Sequence, residues 1–500
     1  MRSSFLISQL DGVVEVRGFG DPDITRVTCD SRAVRPGAIF VAMPGSKIDG
    51  REFIPEAIRA GAVMVIAEGL AETGDANVPI IQVKDAARAL ARVADVLHAK
   101  PSHNLKVVGV TGTNGKTTTT FLVHHLMTEA WHQAGLIGTV LLDDGLKRVP
   151  VERTTPQSHE IHAALAAMRD NGCKGVAMEV SSHGLSQKRV EYVRFDVGIF
   201  TNLSRDHLDY HGTMESYYEA KQRLAMMLAL QKEQGGKDGL MGINIDDIHG
   251  QRMARDFAGR IGTCTYGFGA RADFRVLRLD AGLRGTQFTL TAKGREFLVR
   301  IPLIGRFNVY NAVAALVAAD GVDLNFREAV QNLAQAPQIP GRMESVVENR
   351  PYRVFVDYCH TPDAIENALE TLRGINPARI ITVVGCGGDR DREKRPMMAR
   401  IASEMSNICI LTSDNPRSED PVAILRDMEA GITGRNYKVV PDRAEAIHLA
   451  LALAGENDIV LLAGKGHETY QESMGVKTPF DDREVARFAD RDRKEKGGVR

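Results

Sequence analysis

The sequence contains little cysteine, a single tryptophan and no long apolar run. Its six cysteines (Cys29, Cys173, Cys264, Cys359, Cys386 and Cys409) include no C-x-x-C pair, so neither a disulfide framework nor a zinc knuckle is indicated. No stretch of about 18 apolar residues occurs, and the N-terminal segment reaches Asp11 too soon to form a signal peptide. We therefore expect a cytoplasmic protein with no membrane insertion.

The sequence also lacks an excess of either charge. It has 63 basic and 64 acidic residues, which gives a formal net charge of −1. A protein that binds nucleic acid by bulk electrostatic attraction would carry a basic excess, so nucleic acid is not expected as a partner. The hydrophobic share of 43% is enough for several ordinary cores.

Strand-like and helical patterns alternate along most of the chain, which is typical of α/β layers around largely parallel sheets. At roughly 100 to 200 residues per domain, the length predicts three domains. Turn-forming residues at 101–104 and 336–341 interrupt the pattern. We place the domains at 1–102, 103–338 and 339–500, and we expect the charged residues 490–500 to fray.

A glycine-rich turn joins a β-branched strand pattern to a helical pattern. Residues 109–118 read Gly-Val-Thr-Gly-Thr-Asn-Gly-Lys-Thr-Thr. Gly112 and Gly115 permit a tight turn whose backbone N–H groups point at one anion. Lys116 would reach the outer phosphates of ATP, and the Thr117 hydroxyl would reach its magnesium. The spacing departs from the strict P-loop pattern, because Val110 stands six residues before Lys116. The alternative is a strand-to-helix turn without a ligand.

Polar residues accumulate in the middle segment, between residues 150 and 225. Glu179 ends an apolar strand pattern, and a carboxylate at that point suits magnesium. His207 is a weaker candidate, and His183 and His211 could serve equally well. The spacing of Lys221 alone favours a solvated helix residue.

The last segment repeats one arrangement four times. Apolar strand patterns are followed by polar loops at 357–363, 385–390, 414–417 and 464–468. Ligands of open α/β sheets bind beyond the carboxyl ends of the strands. Four such loops in succession therefore predict one converging site rather than four unrelated turns.

Several of these motifs together resemble the Mur ligase family, the ATP-dependent enzymes that add amino acids to peptidoglycan precursors. The resemblance is carried by residues 109–117, 178–185, 202–209 and 356–363, in order along the whole chain. It implies a central P-loop ATPase-type domain with a parallel sheet, a C-terminal Rossmann-like α/β domain and a smaller N-terminal α/β domain. Cys359 departs from the family, in which alanine is usual there.

The resemblance also implies sets of functional residues. For ATP, the co-substrate, it implies Gly112, Thr113, Asn114, Gly115, Lys116, Thr117, Thr118, Asn308, Asn311, Arg342 and Asp357. For the UDP-sugar-peptide it implies Ser31, Ser46, Lys47, Ile48, Thr154, Thr155, Ser181, Gln187 and Arg189. For Mg²⁺ it implies Thr117, Glu179, His207 and Lys221, the last as a carbamate, which reverses the preference from spacing. Lys116, Glu179, His207 and Lys221 are the implied catalytic residues.

Residues 414–417, Asp-Asn-Pro-Arg, resemble the motif of family members that add meso-diaminopimelate. A guanidinium at Arg417 would fork onto the distal carboxylate of that amino acid and would repel the ammonium end of lysine. The remaining implied pocket residues are Arg390, Asp414, Asn415, Pro416, Gly464 and Glu468.

The implied reaction joins meso-diaminopimelate to the D-glutamate of UDP-MurNAc-L-Ala-D-Glu through an acyl phosphate, and the implied state is a monomer. Two alternatives are a folylpolyglutamate synthase, which shares the ATP-dependent chemistry, and a P-loop protein that uses ATP only as a conformational switch. The full first domain and the Asp-Asn-Pro-Arg loop disfavour the first. The many polar loops at strand ends disfavour the second.

Overall fold

The computed structural model describes residues 1–18, 20–45, 48–69, 78–347 and 350–497. Within these ranges the chain forms three α/β domains, each built on its own main sheet, and a small hairpin. The expected fold class is confirmed. Of the helices in the described ranges, none combines the length and the apolar character needed to cross a bilayer. The boundaries predicted at 102 and 338 fall between the main sheets and stay a prediction.

The first domain has a five-stranded sheet in the order β1-β5-β4-β3-β2, parallel except for the β1–β5 pair. Its strands are β1 (Val13–Arg17), β2 (Arg26–Thr28), β3 (Ala38–Ala42), β4 (Ala62–Glu68) and β5 (Ile80–Val83), and its helices are α1 (Ser3–Ser8), α2 (Ile54–Arg59) and α3 (Ala86–Leu97). Alternate residues of β3 enter different apolar clusters, because successive side chains of a strand point to opposite faces. The sheet is therefore buried on both sides.

The second domain is built on an eleven-stranded sheet. Its strands are β6 (Lys106–Thr111), β7 (Ala134–Ile137), β8 (Leu142–Asp143), β9 (Arg148–Val149), β10 (Gly175–Glu179), β11 (Val197–Phe200), β12 (Leu240–Asn244), β13 (Gly262–Gly267), β14 (Phe274–Gly282), β15 (Gly285–Ala292) and β16 (Arg295–Ile301). Its helices are α4 (Lys116–Trp131), α5 (Ser158–Asp170), α6 (Ser182–Ser186), α7 (Leu208–His211), α8 (Met214–Glu233), α9 (Ile248–Asp256), α10 (Arg306–Gly321) and α11 (Phe326–Asn332).

The centre of this sheet is parallel, as predicted, but both ends are antiparallel. Strands β7, β10, β6, β11, β12 and β13 run parallel, whereas β14–β16 and β7–β9 form antiparallel meanders. Val108 and Val110 of β6 face one apolar cluster and Val107 faces the other. Burial on both faces is typical of parallel strands. It fixes β6, and therefore the turn that follows it, in the middle of the domain.

The third domain has a six-stranded sheet in the order β17-β18-β22-β19-β20-β21, in which β17 is antiparallel to β18. Its strands are β17 (Glu344–Val347), β18 (Arg353–Asp357), β19 (Ile380–Val384), β20 (Ile408–Leu411), β21 (Tyr437–Val439) and β22 (Ile459–Ala463), and the hairpin is β23 (Tyr470–Ser473) and β24 (Val476–Pro479). Its helices are α12 (Pro362–Arg373), α13 (Lys394–Met405), α14 (Pro421–Glu429), α15 (Arg443–Leu453) and α16 (Asp482–Gly497).

The expectation of a frayed C-terminal segment is wrong for the described residues. Helix α16 continues to Gly497, and its Asp490 accepts hydrogen bonds from Arg350 Nη2 at 2.8 Å and from Tyr352 Oη at 2.6 Å. Ala486 and Ala489 are buried against the sheet. The charged composition of this segment does not reveal that a narrow apolar stripe, formed by these two alanines, packs the helix against the sheet.

Removing one partner of the buried ion pair between Arg443 and Asp482 should destabilise the third domain. Both side chains have no exposed surface, and Asp482 accepts from Arg443 Nε at 2.7 Å and Nη2 at 2.6 Å. Asp482→Asn leaves an uncompensated buried guanidinium, so we expect a loss of about 3–5 kcal/mol in unfolding free energy. Asp238→Asn, which removes an exposed pair with Lys232, should cost about 1 kcal/mol or less. Urea unfolding measures both, and equal losses would contradict the prediction.

Candidate active site

The predicted P-loop connects β6 to α4 by a turn with two glycines at positive φ. Gly112 has φ 146°, and a Cβ there would lie 1.8 Å from Thr201 Oγ1. Gly115 caps α4 with φ 85°, and a Cβ there would lie 2.4 Å from Asn311 Oδ1. Neither position can hold a side chain without displacing its neighbour. Residues 115–118 at the start of α4 line a cavity, and the backbone N–H groups of a helix N-terminus suit phosphate binding.

Two lysines, the buried Lys221 and the half-buried Lys116, donate to one carbonyl oxygen of this turn. The Gly112 carbonyl oxygen accepts from Lys116 Nζ at 3.0 Å and from Lys221 Nζ at 2.7 Å, and Lys116 also donates to the Thr113 carbonyl oxygen at 2.8 Å. Burial lowers the pKa of Lys116, although Glu179 opposes the shift. Burial and then the charge of Lys116 lower the pKa of Lys221 well below its usual value. Lys221, half-way along α8, is therefore not the solvated residue that its spacing favours.

Glu179 ends β10 inside the domain and is fully buried. Its Oε2 accepts from Thr117 Oγ1 and Thr139 Oγ1, each at 3.0 Å, and its Oε1 accepts from the Thr139 N–H at 2.7 Å. Arg342, from the third domain, donates to the same Thr117 hydroxyl at 3.0 Å. Thr117 is thus the point at which the carboxylate, the P-loop and the third domain meet.

His207 is the residue immediately before α7, at its N-cap, and has a positive φ of 54°. Its Nε2 lies 3.4 Å from Asp206 Oδ2, and although its side chain is 43% exposed, partial desolvation lowers its pKa against the opposing charge of Asp206. A neutral imidazole can ligate a metal ion. The alternative metal-ligand candidates, His183 and His211, lie nearby. The ring centres of His183 and His207 are 4.9 Å apart, and those of His183 and His211 are 5.6 Å apart.

The predicted magnesium donors fit the ion chemically. Thr117 and Glu179 offer oxygen atoms 3.0 Å apart, and together with His207 they line one cavity, whereas Lys221, the fourth predicted donor, does not line it. Oxygen donors are those that Mg²⁺ prefers. Among the described residues there is no group of three His, Cys, Asp or Glu side chains that could hold an ion. The predicted set is not of that type, because it includes a hydroxyl and a carbamate.

A cavity of about 940 Å³ extends from the P-loop toward the third domain. Of the predicted ATP residues, it is lined by Thr113, Asn114, Gly115, Lys116, Thr117, Thr118, Asn311, Arg342 and Asp357. Burial raises the pKa of Asp357. Gly112 and Asn308 do not line it. Asn308 is buried and accepts from Asn311 Nδ2 at 3.0 Å, so it holds the neighbouring asparagine.

Most residues predicted to bind the UDP-sugar-peptide form a cluster next to Glu179. Thr155 Oγ1 donates to the Glu179 carbonyl oxygen and accepts from the Ser181 N–H, both at 3.0 Å. Arg189 donates to the Thr155 carbonyl oxygen at 2.7 Å and to Gln187 Oε1 at 3.0 Å. Thr154 lines the large cavity, and its Oγ1 lies 3.0 Å from Thr139 Oγ1, whose one hydrogen is donated to Glu179.

The first-domain residues predicted for the same ligand stay apart from this cluster in the described contacts. Ser31 begins a short 3₁₀ helix, Ser31–Ala33, and Ile48 is exposed. Ser46 and Lys47 lie outside the described residues. The roles of all these residues remain predictions.

A second cavity, of about 370 Å³, adjoins the first. It is lined by the predicted residues Arg390, Asp414, Asn415, Arg417, Gly464 and Glu468, whereas Pro416 does not line it. The loops that carry them follow β19, β20 and β22, which are neighbours in the sheet. The convergence inferred from four polar loops is therefore observed, because the loop after β18 lines this cavity too.

Arg417 is held in place by backbone contacts. It has φ 53°, its N–H donates to the Glu472 carbonyl oxygen at 3.0 Å, and its Nη1 donates to the Gly388 carbonyl oxygen at 2.6 Å. The other guanidinium N–H groups have no hydrogen-bond partner in the described part of the chain. A guanidinium carries five donors, so this one retains enough of them to fork onto a carboxylate in the cavity.

Lys465 is a functional candidate that the sequence reasoning missed. It is completely buried, and its Nζ lies 3.1 Å from Asn415 Oδ1 and 3.2 Å from Glu468 Oε2. Burial and then the charge of Asp414 raise the pKa of Glu468, which Lys465 opposes. Its position in a polar loop directly after β22 was the available signal.

Asn202 is a second residue whose function the sequence motifs did not predict, although it lies in one of the motifs that resemble the family. Its Oδ1 accepts from the Asn114 N–H at 2.9 Å, and its Nδ2 donates to the Asn114 carbonyl oxygen at 3.1 Å. The paired bonds fix the P-loop from the end of β11. Its place directly after that strand was the signal.

Three family models match the chain in succession. They are described as Mur ligase family, catalytic domain (residues 23–97), Mur ligase middle domain (residues 110–319) and Mur ligase, glutamate ligase domain (residues 341–466). The chain is 42% identical, over 496 residues, to the UDP-N-acetylmuramoyl-L-alanyl-D-glutamate–2,6-diaminopimelate ligase of Geobacillus thermodenitrificans, with 99% of this chain and 100% of that protein covered. The chain belongs to the Mur ligase family. It is thus an ATP-dependent, amide-forming ligase.

Solved structures agree with this assignment. A UDP-N-acetylmuramoyl-L-alanyl-D-glutamate–2,6-diaminopimelate ligase is 35% identical with a TM-score of 0.66, and the match covers 94% of this chain and 95% of that one. A folylpolyglutamate synthase of Mycobacterium tuberculosis has a TM-score of 0.60 at 18% identity, over 74% of this chain and 91% of that one. This second likeness shows the fold alone.

Proposed function

We propose that this Mur ligase joins meso-diaminopimelate to the D-glutamate of UDP-MurNAc-L-Ala-D-Glu, with ATP as co-substrate, in peptidoglycan precursor synthesis. The observation that carries the proposal is Arg417, a guanidinium with free donors on the wall of the smaller cavity. Relatives with the diaminopimelate name support it over the full length of the chain. A cytoplasmic monomer is part of the proposal, since one chain lines both cavities and ATP is a cytoplasmic substrate.

The first chemical step needs a leaving group better than hydroxide on the D-glutamate carboxyl. The γ-carboxylate attacks the γ-phosphorus of ATP, which gives an acyl phosphate and ADP. Lys116 stabilises the charge on the transferring phosphoryl group, and the N–H groups at the start of α4 hold the phosphates. Mg²⁺, when held by Thr117, Glu179, His207 and carbamylated Lys221, would neutralise part of that charge.

The second step takes place where the two cavities meet. The amine of diaminopimelate attacks the acyl carbon, and phosphate leaves. Arg417 and the Lys465–Asn415–Glu468 contacts hold the amino acid by its far end, so that its amine is directed toward the larger cavity. Holding both reactants in position can supply roughly 7–11 kcal/mol of the barrier.

A phosphate-release assay with product analysis tests the proposed function. We expect release to require both UDP-MurNAc-L-Ala-D-Glu and meso-diaminopimelate, with the tripeptide product identified by mass. Lysine, offered in parallel, should be a poor substrate because its ammonium meets Arg417. Equal incorporation of lysine would overturn the specificity, and ATP hydrolysis without either substrate would favour the conformational switch.

Arg417→Ala should weaken diaminopimelate far more than ATP. Loss of one partner of a hydrogen-bonded charge pair costs about 2–5 kcal/mol, so we expect KM for diaminopimelate to rise on the order of 10²-fold. Arg400→Ala, which alters an exposed arginine of the same domain, is the control. Steady-state kinetics with each substrate varied in turn provide the measurement. Equal rises in KM for both substrates would mean that the pocket is misplaced.

A further inference from the structure

The walls of the two cavities share a small group of residues. They are Asp206, His207, Tyr358, His360, Thr361 and Asp363. Under the proposed function, the acyl phosphate forms on the side of the larger cavity and the amine arrives from the smaller one. The new C–N bond must therefore form next to this group, and so must the proton transfer that completes it.

His360 has a ring whose hydrogen position is fixed by its surroundings. Its Nδ1 lies 2.8 Å from the Tyr358 carbonyl oxygen. A carbonyl oxygen can only accept, so Nδ1 carries the hydrogen and Nε2 of the neutral ring presents a lone pair. Within the described ranges, Nε2 has no hydrogen-bond partner. The lone pair is therefore available to a group in the cavities.

The charges around His360 keep its ring neutral. Burial is the largest effect that lowers its pKa, followed by Lys394, whose ammonium donates to the His360 carbonyl oxygen at 3.0 Å. Arg342 lowers the pKa further, and Asp206 opposes the change. At neutral pH the imidazole can thus accept a proton rather than donate one.

The other shared residues are less suited to accept a proton. Burial raises the pKa of the Tyr358 hydroxyl beyond the neutral range, so it stays protonated. The Thr361 hydroxyl caps α12. Asp363 lies in the first turn of that helix, where an acidic side chain interacts favourably with the helix dipole.

Asp206 and His207 contact each other. Asp206 Oδ1 accepts from the His207 N–H at 2.9 Å and its Oδ2 faces the imidazole. Although burial acts to raise the pKa of Asp206, the surrounding positive charges lower it overall. His207 already belongs to the predicted set of magnesium ligands. Of the shared residues, His360 is therefore the one whose neutral side chain has an unused lone pair.

We propose that His360 is the general base of the amide-forming step, an assignment that rests on the proposed function. The incoming ammonium loses one proton to solvent and its nitrogen attacks the acyl carbon. When the C–N bond has formed, the second proton passes from that nitrogen to His360 Nε2, the C–O bond breaks and inorganic phosphate leaves. The imidazolium then returns its proton to solvent.

Hydroxylamine separates this step from the formation of the acyl phosphate. It is unprotonated at neutral pH, and after attack its nitrogen is acidic enough to lose a proton to water. We expect His360→Gln to lower diaminopimelate-dependent turnover by about 10²-fold or more. Hydroxamate formation from ATP, UDP-MurNAc-L-Ala-D-Glu and hydroxylamine should stay close to the wild-type rate. His448→Gln, on α15, should change neither reaction.

Each other outcome has a definite meaning. Equal loss of both reactions would overturn the proposal, since His360 would then act on phosphoryl transfer or on folding. Full retention of the diaminopimelate reaction in His360→Gln would overturn it as well. If His360→Gln does not fold, free imidazole added to His360→Gly must restore amide formation, or the proposal is wrong. If wild-type protein makes no diaminopimelate amide, the proposed function fails. The role of His360 is then decided with lysine as the acceptor, by comparing amide and hydroxamate formation in the wild-type and His360→Gln proteins.

Discussion

Lys221→Ala should abolish turnover while the protein remains folded. The amine of Lys221 is buried, donates to the Gly112 carbonyl oxygen and lies 4.5 Å from the centre of the Tyr217 ring. Among the described residues no carboxylate lies within ion-pair distance of it. Burial lowers the pKa of this amine well below its usual value and so favours its neutral form, and a neutral amine can add carbon dioxide to become a carbamate. Without it the magnesium site loses an oxygen ligand.

We expect the loss of turnover to reach about 10³-fold, the upper end of what one electrostatic group supplies. Lys221→Arg should be equally inactive, because it keeps a cation but cannot form a carbamate. Lys232→Ala, at an exposed position of the same helix, is the matched control. Activity of wild-type protein should fall in carbon-dioxide-free buffer and return with bicarbonate. Full activity of either Lys221 variant would remove the carbamate from the mechanism.

The parts of the site that could be predicted are those dictated by short sequence ranges. The P-loop follows from local chemistry, since positive φ and close approach leave room only for Gly112 and Gly115. Convergence of the loops in the third domain follows from a general property of parallel sheets, whose strands present their carboxyl ends at one edge. Both inferences need only the order of residues along the chain.

Pairings between distant residues could not be predicted in this way. Arg342 reaches Thr117 across 225 positions, and Lys221 reaches Gly112 across 109. Only the packed fold brings such groups together, and burial then changes their protonation. The same reason explains the error at α16, where the charged composition concealed the contact of Asp490 with Arg350.

The antiparallel ends of the central sheet were missed for a related reason. Strand β15 alternates half-buried and buried residues along its length, a local pattern that does not say which sheet the strand extends. The attachment of β14–β16 to the parallel centre depends on the short β13–β14 pairing at Tyr266 and Gly267. Strand order of this kind is a property of the packed domain.

Lys116→Met should impair phosphoryl transfer itself. The ammonium of Lys116 is held by the carbonyl oxygens of Gly112 and Thr113 on the wall of the larger cavity. Replacing it by an apolar chain of similar length removes a charge that the transferring phosphoryl group needs. Loss of one such preorganised group costs about 10²- to 10³-fold in kcat. Lys174→Met, at an exposed position of the same domain, should have no effect.

The pattern of loss distinguishes Lys116 from His360. Because Lys116 acts before the acyl phosphate exists, its replacement should reduce hydroxamate formation and diaminopimelate transfer by the same factor. His360→Gln should reduce only the second. Parallel measurement of the two reactions in both variants therefore orders the residues along the reaction. Normal hydroxamate formation by Lys116→Met would show that the P-loop lysine does not act on the transferred phosphate.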